Sequence, residues 1–289
     1  MTTRPLPRST SAAQGVDAGG VLQFLDGVRD AGIELHSLML LRHGHVVAEG
    51  WWRPYTADGV QLVYSLSKSF TSTALGFAVA EGLVSLDDRA IDLCPEVTGP
   101  VSQRSASITL HHLASMNTGH STDTLDAFWR LATGPSPRTF EQEFFAIEPD
   151  HEPGGIFCYH NGATFLLALI LQRLSGQTLI DYLTPRLLRP LGARRVGWQT
   201  DPFGRQLGFS GIHVATETIA ALGQTYLADG ALGGRRVLPP GWVRLASQRH
   251  TDNFAGTEAS DWEQGYGYQF WLARHGYRGD GAYGQFCVI

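Results

Sequence analysis

Residues 65–81, SLSKSFTSTALGFAVAE, decide the fold of this chain. Apolar residues recur there every four positions, the spacing of one helical face: Leu66, Phe70, Ala74 and Ala78. Alanine is frequent in the stretch, and Gly82 follows it as a typical helix stop. We therefore predict a mostly buried helix from Ser65 to Glu81.

A hydroxyl and an amine stand three residues apart at the start of this helix, on Ser65 and Lys68. Three residues make almost one helical turn, so the two side chains are predicted to share a face. Burial and the positive end of the helix dipole both disfavour the ammonium and lower its pKa. A neutral Lys68 can accept the Ser65 proton and activate the hydroxyl as a nucleophile. The alternative is an exposed lysine after a helix-capping serine, which is the commoner meaning of an arbitrary S-x-x-K pattern.

Lys68 is also the only lysine, because the other 21 of the 22 basic residues are arginines. A surface lysine can usually become arginine at little cost, whereas a proton acceptor cannot, since arginine stays charged. The composition therefore favours a functional role for this amine.

The composition excludes several classes of protein. With 43% apolar and 17% charged residues, the 289-residue chain suits one large or two modest globular domains. The net charge of -5 lacks the basic field of nucleic-acid-binding proteins, so no such partner is predicted. Residues 1–10 contain no apolar run, which predicts no secretory signal, no membrane span and a cytoplasmic protein. The three cysteines are widely spaced and are predicted to be reduced.

The patterns along the chain change from strand to helix and back to strand. Apolar runs on either side of Gly44 predict a hairpin, and a helix with an all-round apolar segment is predicted from Gly162 to Leu174. Thr216 is predicted to cap a further helix. Strands are predicted near the end, from Tyr283 to Ile289 and from a segment with aromatic or apolar residues at period two: Tyr266, Tyr268, Phe270 and Leu272.

This order predicts an α/β (α+β) fold with a discontinuous domain. Residues 21–86 plus 200–289 are predicted to form an antiparallel sheet flanked by helices, and residues 87–199 an inserted, mostly helical domain. Residues 1–20, rich in Pro, Ser, Thr and Gly, are predicted to be a flexible leader. Because the sequence stops inside the last predicted strand, we expect a fragment or an early stop.

A second polar pair lies just before the apolar helix, in the segment Tyr159-His160-Asn161. In an extended Y-x-N both outer side chains project to one side, so a phenol and an amide can face one site. A nearby ammonium favours partial ionisation of the phenol, which can then relay a proton to a leaving group. The alternative is a packed tyrosine followed by Asn161 as a helix cap.

Together these motifs resemble the penicillin-recognising serine hydrolases. Within that group the chain is most similar to the class C β-lactamase-related enzymes, which include D,D-peptidases, family VIII esterases and 6-aminohexanoate-dimer hydrolase. The supporting segments extend over most of the chain: Ser65-Leu-Ser-Lys68, Leu110 to Gly119, Tyr159-x-Asn161, Gly208-Phe-Ser-Gly-Ile and Gly281-Ala-Tyr-Gly-Gln285. Three ordered motifs are specific where each alone is weak.

The resemblance implies a β-lactamase/transpeptidase-like fold and an acyl-enzyme mechanism without metal or organic cofactor. Ser65 would be the acylated nucleophile and Lys68 its proton acceptor. Tyr159 would protonate the leaving group and later activate water, while Asn161 would bind a substrate carbonyl or amide. Backbone N–H groups of Ser65 and of Ala282, after Gly281, would hold the oxyanion.

Two departures from the family pattern qualify what the resemblance implies. The family's third motif is often K-T-G, which cannot exist here because Lys68 is the only lysine. Arg278 is the candidate to replace that charge. The absence of the lysine from the motif position favours small esters or amides as substrates over β-lactams. The second departure is the missing tail, since relatives continue with further strand and a C-terminal helix.

Rival interpretations start from other residues. A Ser-His-Asp hydrolase needs G-x-S-x-G, and the segment around Ser210 lacks the second glycine at the right place. The 11 histidines form no H-E-x-x-H and no cysteine-rich frame, so no metal site is predicted. A catalytically silent binding or sensor module of the same fold would be expected to have lost at least one of Ser65, Lys68 and Tyr159.

Overall fold

A computed structural model describes residues 6–133, 138–254 and 260–289. Its helices, labelled α1 to α10 in chain order, are Ala18–Asp30, Ser67–Ala80, Gln103–Ser107, Leu110–Ala114, Leu125–Thr133, Phe140–Ala146, Asn161–Ser175, Leu179–Leu183, Thr216–Leu227 and Trp242–Ser247. Its strands, labelled β1 to β10, are Ser37–Arg42, His45–Trp51, Gln61–Leu62, Gly197–Trp198, Ile212–Val214, Ala231–Leu232, Arg235–Arg236, Trp271–Ala273, Gly276–Gly281 and Gln285–Val288.

Antiparallel pairs occur near both ends of the chain, but β9 is not among the predicted strands, because its glycine-rich sequence lacks the alternating pattern. Strands β1 and β2 form the predicted hairpin around Gly44, and β8, β9 and β10 form a three-stranded sheet. Strand β5 pairs with both β3 and β4 in a separate small sheet, which places β5 beside the start of α2. Helix α9 packs against both β1 and β10 and so lies across the two terminal sheets.

The two predicted core helices are confirmed. All four patterned residues are buried, although Leu66 lies in the turn just before α2, and the stretch from Phe165 to Leu171 in α7 is buried on every side. The two helices pack against each other, because apolar surface all round a helix leaves solvent no face to contact. This packing brings the start of α2 close to the start of α7.

Two predictions of local structure differ from what is observed. Thr216 is the first residue of α9 and does not cap it, since its Oγ1 donates instead to Ser37 Oγ at 2.9 Å. Only Trp271–Ala273 of the alternating segment forms a strand, because Gln269 has a φ of 64° that interrupts extended backbone. The period-two pattern there reflects burial of aromatic rings rather than a continuous ladder.

The predicted flexible leader also differs from the structure. Leu6 is 2% exposed, and the Val46 N–H donates to the Pro7 carbonyl at 2.8 Å. The Ser9 N–H in turn donates to the Val46 carbonyl at 3.0 Å, so this segment runs beside β2. Residues 1–5 lie outside the described residues.

No single helix in the described ranges is long and apolar enough to cross a membrane, although the bent pair Asn161–Ser175 and Leu179–Leu188 would pass together on length and composition.

The contact between α2 and α10 offers a test of the packing. A Cβ added at Gly76 would lie 2.5 Å from two ring atoms of the buried Trp242, which has no room to shift. We expect Gly76→Ala to lower the free energy of unfolding by about 1–3 kcal/mol, measured by urea denaturation.

Gly27→Ala is the matched control, because Gly27 also lies inside a helix but has nothing within 4 Å of its added Cβ. This variant should gain up to about 1 kcal/mol from helix propensity. Equal stability of the Gly76→Ala variant and the unchanged protein would contradict the packing.

Candidate active site

Ser65 lies in a short 3-10 turn, Tyr64–Leu66, that leads directly into α2. The preceding residue, Tyr64, has a φ of 46°, a conformation that non-glycine residues adopt rarely and that often marks functional sites. The buried Ser67 holds this turn, because its hydroxyl donates to the Tyr64 carbonyl at 2.5 Å and accepts from the Ile212 N–H at 3.1 Å. The half-buried Ser65 hydroxyl is thus attached to a turn anchored on β5.

Lys68 is 1% exposed, so its amine is shielded from solvent. Its Nζ lies 3.1 Å from Ser65 Oγ, 2.6 Å from Asn161 Oδ1 and 2.9 Å from the Phe209 carbonyl. Burial lowers the pKa of Lys68 to about 7, and the negative charge of Asp123 partly opposes that shift. At neutral pH a substantial fraction of the amine is therefore uncharged.

The partners of Lys68 set the direction in which the neutral amine can act. A neutral amine has two hydrogens and one lone pair, and Asn161 Oδ1 and the Phe209 carbonyl can only accept hydrogen bonds. Once both hydrogens are donated to these oxygens, the lone pair faces Ser65 Oγ. The arrangement favours proton transfer from Ser65 to Lys68.

Tyr159 forms the opposite wall of the site. Lys68 Nζ lies 4.7 Å from the centroid of its ring, and the ring stacks on Trp271 at 5.2 Å. Burial raises the pKa of Tyr159, although a hydrogen bond with Ser65 lowers it in part. The partial ionisation expected from the sequence is therefore wrong for the resting site, because desolvation, together with the negative charges of Asp280 and Asp123, keeps the phenol protonated.

Asn161 is the first residue of α7 and connects two charged groups. Its Oδ1 accepts from Lys68, while its Nδ2 donates to Asp123 Oδ2 at 2.7 Å. Asp123 Oδ1 also accepts the Gly162 N–H at 3.0 Å, so this carboxylate covers the start of the helix. Neither contact was predicted: Asp123 lies in no recognisable motif, and the Gly208-Phe-Ser-Gly-Ile segment does not reveal that its Phe209 carbonyl faces Lys68.

The end of β9 lies against the Ser65 turn, as the resemblance implies. A Cβ added at Gly281 would approach the Val63 carbonyl to 2.2 Å, so only glycine permits this close packing. Ala282 follows the last residue of the strand, and the rings of Tyr64 and Tyr283 are 5.0 Å apart. Gly281 and Ala282 therefore flank the same turn that carries Ser65.

Arg278 does not offer its charge to a ligand, which corrects the sequence expectation. The guanidinium is nearly buried, with Nε donating to Asp280 Oδ2 at 2.7 Å and Nη1 to Asp261 Oδ2 at 2.5 Å. It also lies 4.6 Å above the Trp262 ring. Two carboxylates therefore neutralise the one cation, and the other oxygen of Asp280 is buried without a hydrogen-bond partner.

No group of three or more His, Cys, Asp or Glu residues in the described part of the chain is arranged to hold a metal ion. Histidines near the site serve packing and hydrogen bonding instead. The buried His160 accepts the Thr124 N–H at 2.9 Å and contacts Thr118 Oγ1 at 3.1 Å. Burial lowers the pKa of His160 well below its usual value, so this ring is neutral.

Comparison with known proteins agrees with the geometry. The chain is 24% identical to the 6-aminohexanoate-dimer hydrolase of Paenarthrobacter ureafaciens over 267 residues, which cover 86% of this chain and 68% of that protein. It is 29% identical to the lovastatin esterase of Penicillium rubens over 160 residues, 48% of this chain and 40% of that one. The solved structure of EstCE1, a hydrolase with promiscuous acyltransferase activity, matches 87% of this chain and 81% of its own with a TM-score of 0.69 and 20% identity.

The sequence model of the Beta-lactamase family extends over residues 24–289, which include every candidate site residue described above. The chain therefore belongs to the Beta-lactamase family of hydrolases.

Proposed function

We propose that the chain hydrolyses small esters or amides through an acyl-enzyme on Ser65. The observation that carries the proposal is the buried Lys68 amine, 3.1 Å from Ser65 Oγ with its other two partners restricted to accepting. A desolvated lysine with a pKa of about 7 is matched to general-base catalysis at neutral pH. A lysine with a merely structural role would keep its amine in water, where it stays charged at neutral pH.

In acylation Ser65 Oγ attacks the substrate carbonyl carbon while its proton passes to Lys68 Nζ. Tyr159 then donates its phenolic proton to the leaving oxygen or nitrogen as the bond to carbon breaks. The resulting phenolate stands beside the newly formed Lys68 ammonium, and their attraction offsets the burial that opposes ionisation. The products of this half-reaction are the Ser65 ester and the free alcohol or amine.

Deacylation returns both protons. The Tyr159 phenolate takes a proton from water as the hydroxide adds to the acyl carbon, and collapse of the intermediate expels Ser65 Oγ, which recovers its proton from Lys68. The N–H groups of Ser65 and Ala282 are proposed to stabilise the oxyanion in both steps. The close packing of Gly281 on the Val63 carbonyl supports this assignment, because it brings the end of β9 beside the nucleophile.

The charges around the site favour neutral substrates over β-lactams. A β-lactam carries a carboxylate that needs a cationic partner, and Arg278 is already paired with Asp280 and Asp261. The names of two relatives, a 6-aminohexanoate-dimer hydrolase and a lovastatin esterase, fit amide and ester bonds as the ones that are cleaved. β-Lactamase or D,D-peptidase activity is the alternative within the same mechanism.

A substrate panel tests the proposed class. We expect kcat/KM for p-nitrophenyl butyrate to exceed that for nitrocefin by at least about 10²-fold, since an unpaired buried charge costs about 3 kcal/mol. Both rates are measured by absorbance, with Ser65→Ala as the blank for background hydrolysis. Faster turnover of nitrocefin would assign the chain to β-lactam chemistry. Turnover of neither substrate, together with no covalent labelling of Ser65, would favour the silent binding module.

A further inference from the structure

Asp123 does not contact the reacting groups directly. It is linked to Lys68 by Asn161, the first residue of α7. Its Oδ2 accepts from Asn161 Nδ2 at 2.7 Å, and its Oδ1 accepts the Gly162 N–H at 3.0 Å and the Leu125 N–H at 3.2 Å. None of the three motifs includes this residue, and none of the roles described above uses it directly.

The chemistry of the carboxylate decides the orientation of the Asn161 amide. An ionised carboxylate can only accept, so the amide must turn its Nδ2 toward Asp123 and its Oδ1 toward Lys68. In the opposite orientation two amide hydrogens would face Lys68 Nζ, and the amine lone pair would point at Asn161. The lone pair would then be unavailable to Ser65.

The position of Asp123 is fixed by contacts between its neighbour Thr124 and His160. The adjacent Thr124 donates its N–H to the buried His160 ring and contacts that ring with its hydroxyl at 2.9 Å. Because His160 lies between Tyr159 and Asn161, the segment carrying Asp123 and the Y-x-N segment are held together at consecutive residues. A small displacement of Asp123 therefore displaces the amide.

We propose that Asp123 is a positioning residue for acyl transfer, which orients the Asn161 amide so that the Lys68 lone pair faces Ser65. The inference rests on the proposed function and extends it by one residue. Asp123 touches neither substrate nor the reacting atoms, and its effect passes through Asn161. It also stands close enough to Lys68 to favour the ammonium.

The test measures how fast a fluorophosphonate probe labels Ser65, followed by intact mass. This assay needs no knowledge of the natural substrate. We expect Asp123→Ala to slow labelling on the order of 10²-fold, the size of effect produced by misplacing a catalytic group. Asp150→Asn is the matched control, because Asp150 accepts the Ser121 N–H at 2.9 Å in the same loop without contacting Asn161. The control should label at the rate of the unchanged protein.

Two further measurements separate positioning from loss of structure. If Asp123 acts through Asn161, the double variant Asp123→Ala/Asn161→Ala should label no more slowly than Asn161→Ala alone, whereas independent roles would multiply. Asp123→Asn, which keeps the shape but removes the charge, should move the acid limb of the pH–rate profile to lower pH. The direction follows because the carboxylate raises the pKa of Lys68.

Two results would overturn the inference: labelling of a folded Asp123→Ala variant at the unchanged rate, or multiplicative losses in the double variant. If Asp123→Ala fails to fold, Asp123→Asn decides, and an unmoved acid limb with unchanged labelling counts against the proposal. Failure of the proposed function is recognised separately, because the unchanged protein would then not be labelled at Ser65 at all.

Discussion

Replacing Ser65 by alanine is expected to lower kcat for an ester substrate by at least about 10⁴-fold and to abolish covalent labelling by a fluorophosphonate. The loss is large because the hydroxyl supplies the bond that the acyl group must form, and no neighbouring group can substitute for it. The measurement is initial-rate kinetics on p-nitrophenyl butyrate together with intact mass after exposure to the probe.

Ser210→Ala is the control for this experiment. Ser210 lies in Gly208-Phe-Ser-Gly-Ile, the segment nearest to a G-x-S-x-G pattern, and no role in the proposed mechanism falls on its side chain. The control should keep both activity and labelling. Labelling that survives Ser65→Ala and disappears with Ser210→Ala would move the nucleophile to the rival position and refute the mechanism.

Replacing Lys68 by arginine should reduce kcat/KM by about 10³-fold, although the substitution preserves a basic residue. Arginine stays protonated at all accessible pH values and cannot accept the Ser65 proton. In the unchanged protein kcat/KM should rise with pH through about 7, as Lys68 loses its proton. The Lys68→Arg variant should lack that rise.

Two controls address the size of the arginine side chain in so enclosed a position. Lys68→Gln is smaller and neutral, and it should be equally inactive if proton acceptance is what matters. Circular dichroism and thermal unfolding establish that each variant is folded. An arginine variant with more than about a tenth of the original activity would exclude Lys68 as the general base.

Much of the site could be predicted from residue spacing because its members lie at the start of a helix or within two residues before it. The three-residue interval between Ser65 and Lys68 and the two-residue interval between Tyr159 and Asn161 each place two polar groups on one side of local backbone. The scarcity of lysine added independent weight. The meeting of the two pairs is confirmed by the contact between Lys68 and Asn161, 93 positions apart.

The charges around the site could not be predicted in the same way. Arg278 is one of 21 arginines. Only its proximity to Asp261 and Asp280 in the fold reveals that its charge is already paired within the protein. The protonation of Tyr159 was misjudged for a related reason. Desolvation depends on what surrounds a group in three dimensions, and the sequence shows only its neighbours along the chain.

By itself the sequence determined the two core helices, the N-terminal hairpin and the candidates for the nucleophile and its base, because periodicity and local spacing are properties of consecutive residues. Only the tertiary structure decided which hydrogens Lys68 donates and where its lone pair points. Those depend on the Phe209 carbonyl and on the Asn161 amide oriented by Asp123, groups that come from separate parts of the chain. Hydrogen-bond direction and burial arise when distant segments pack together. They set the protonation of the Lys68 amine, which local sequence identifies only as a candidate.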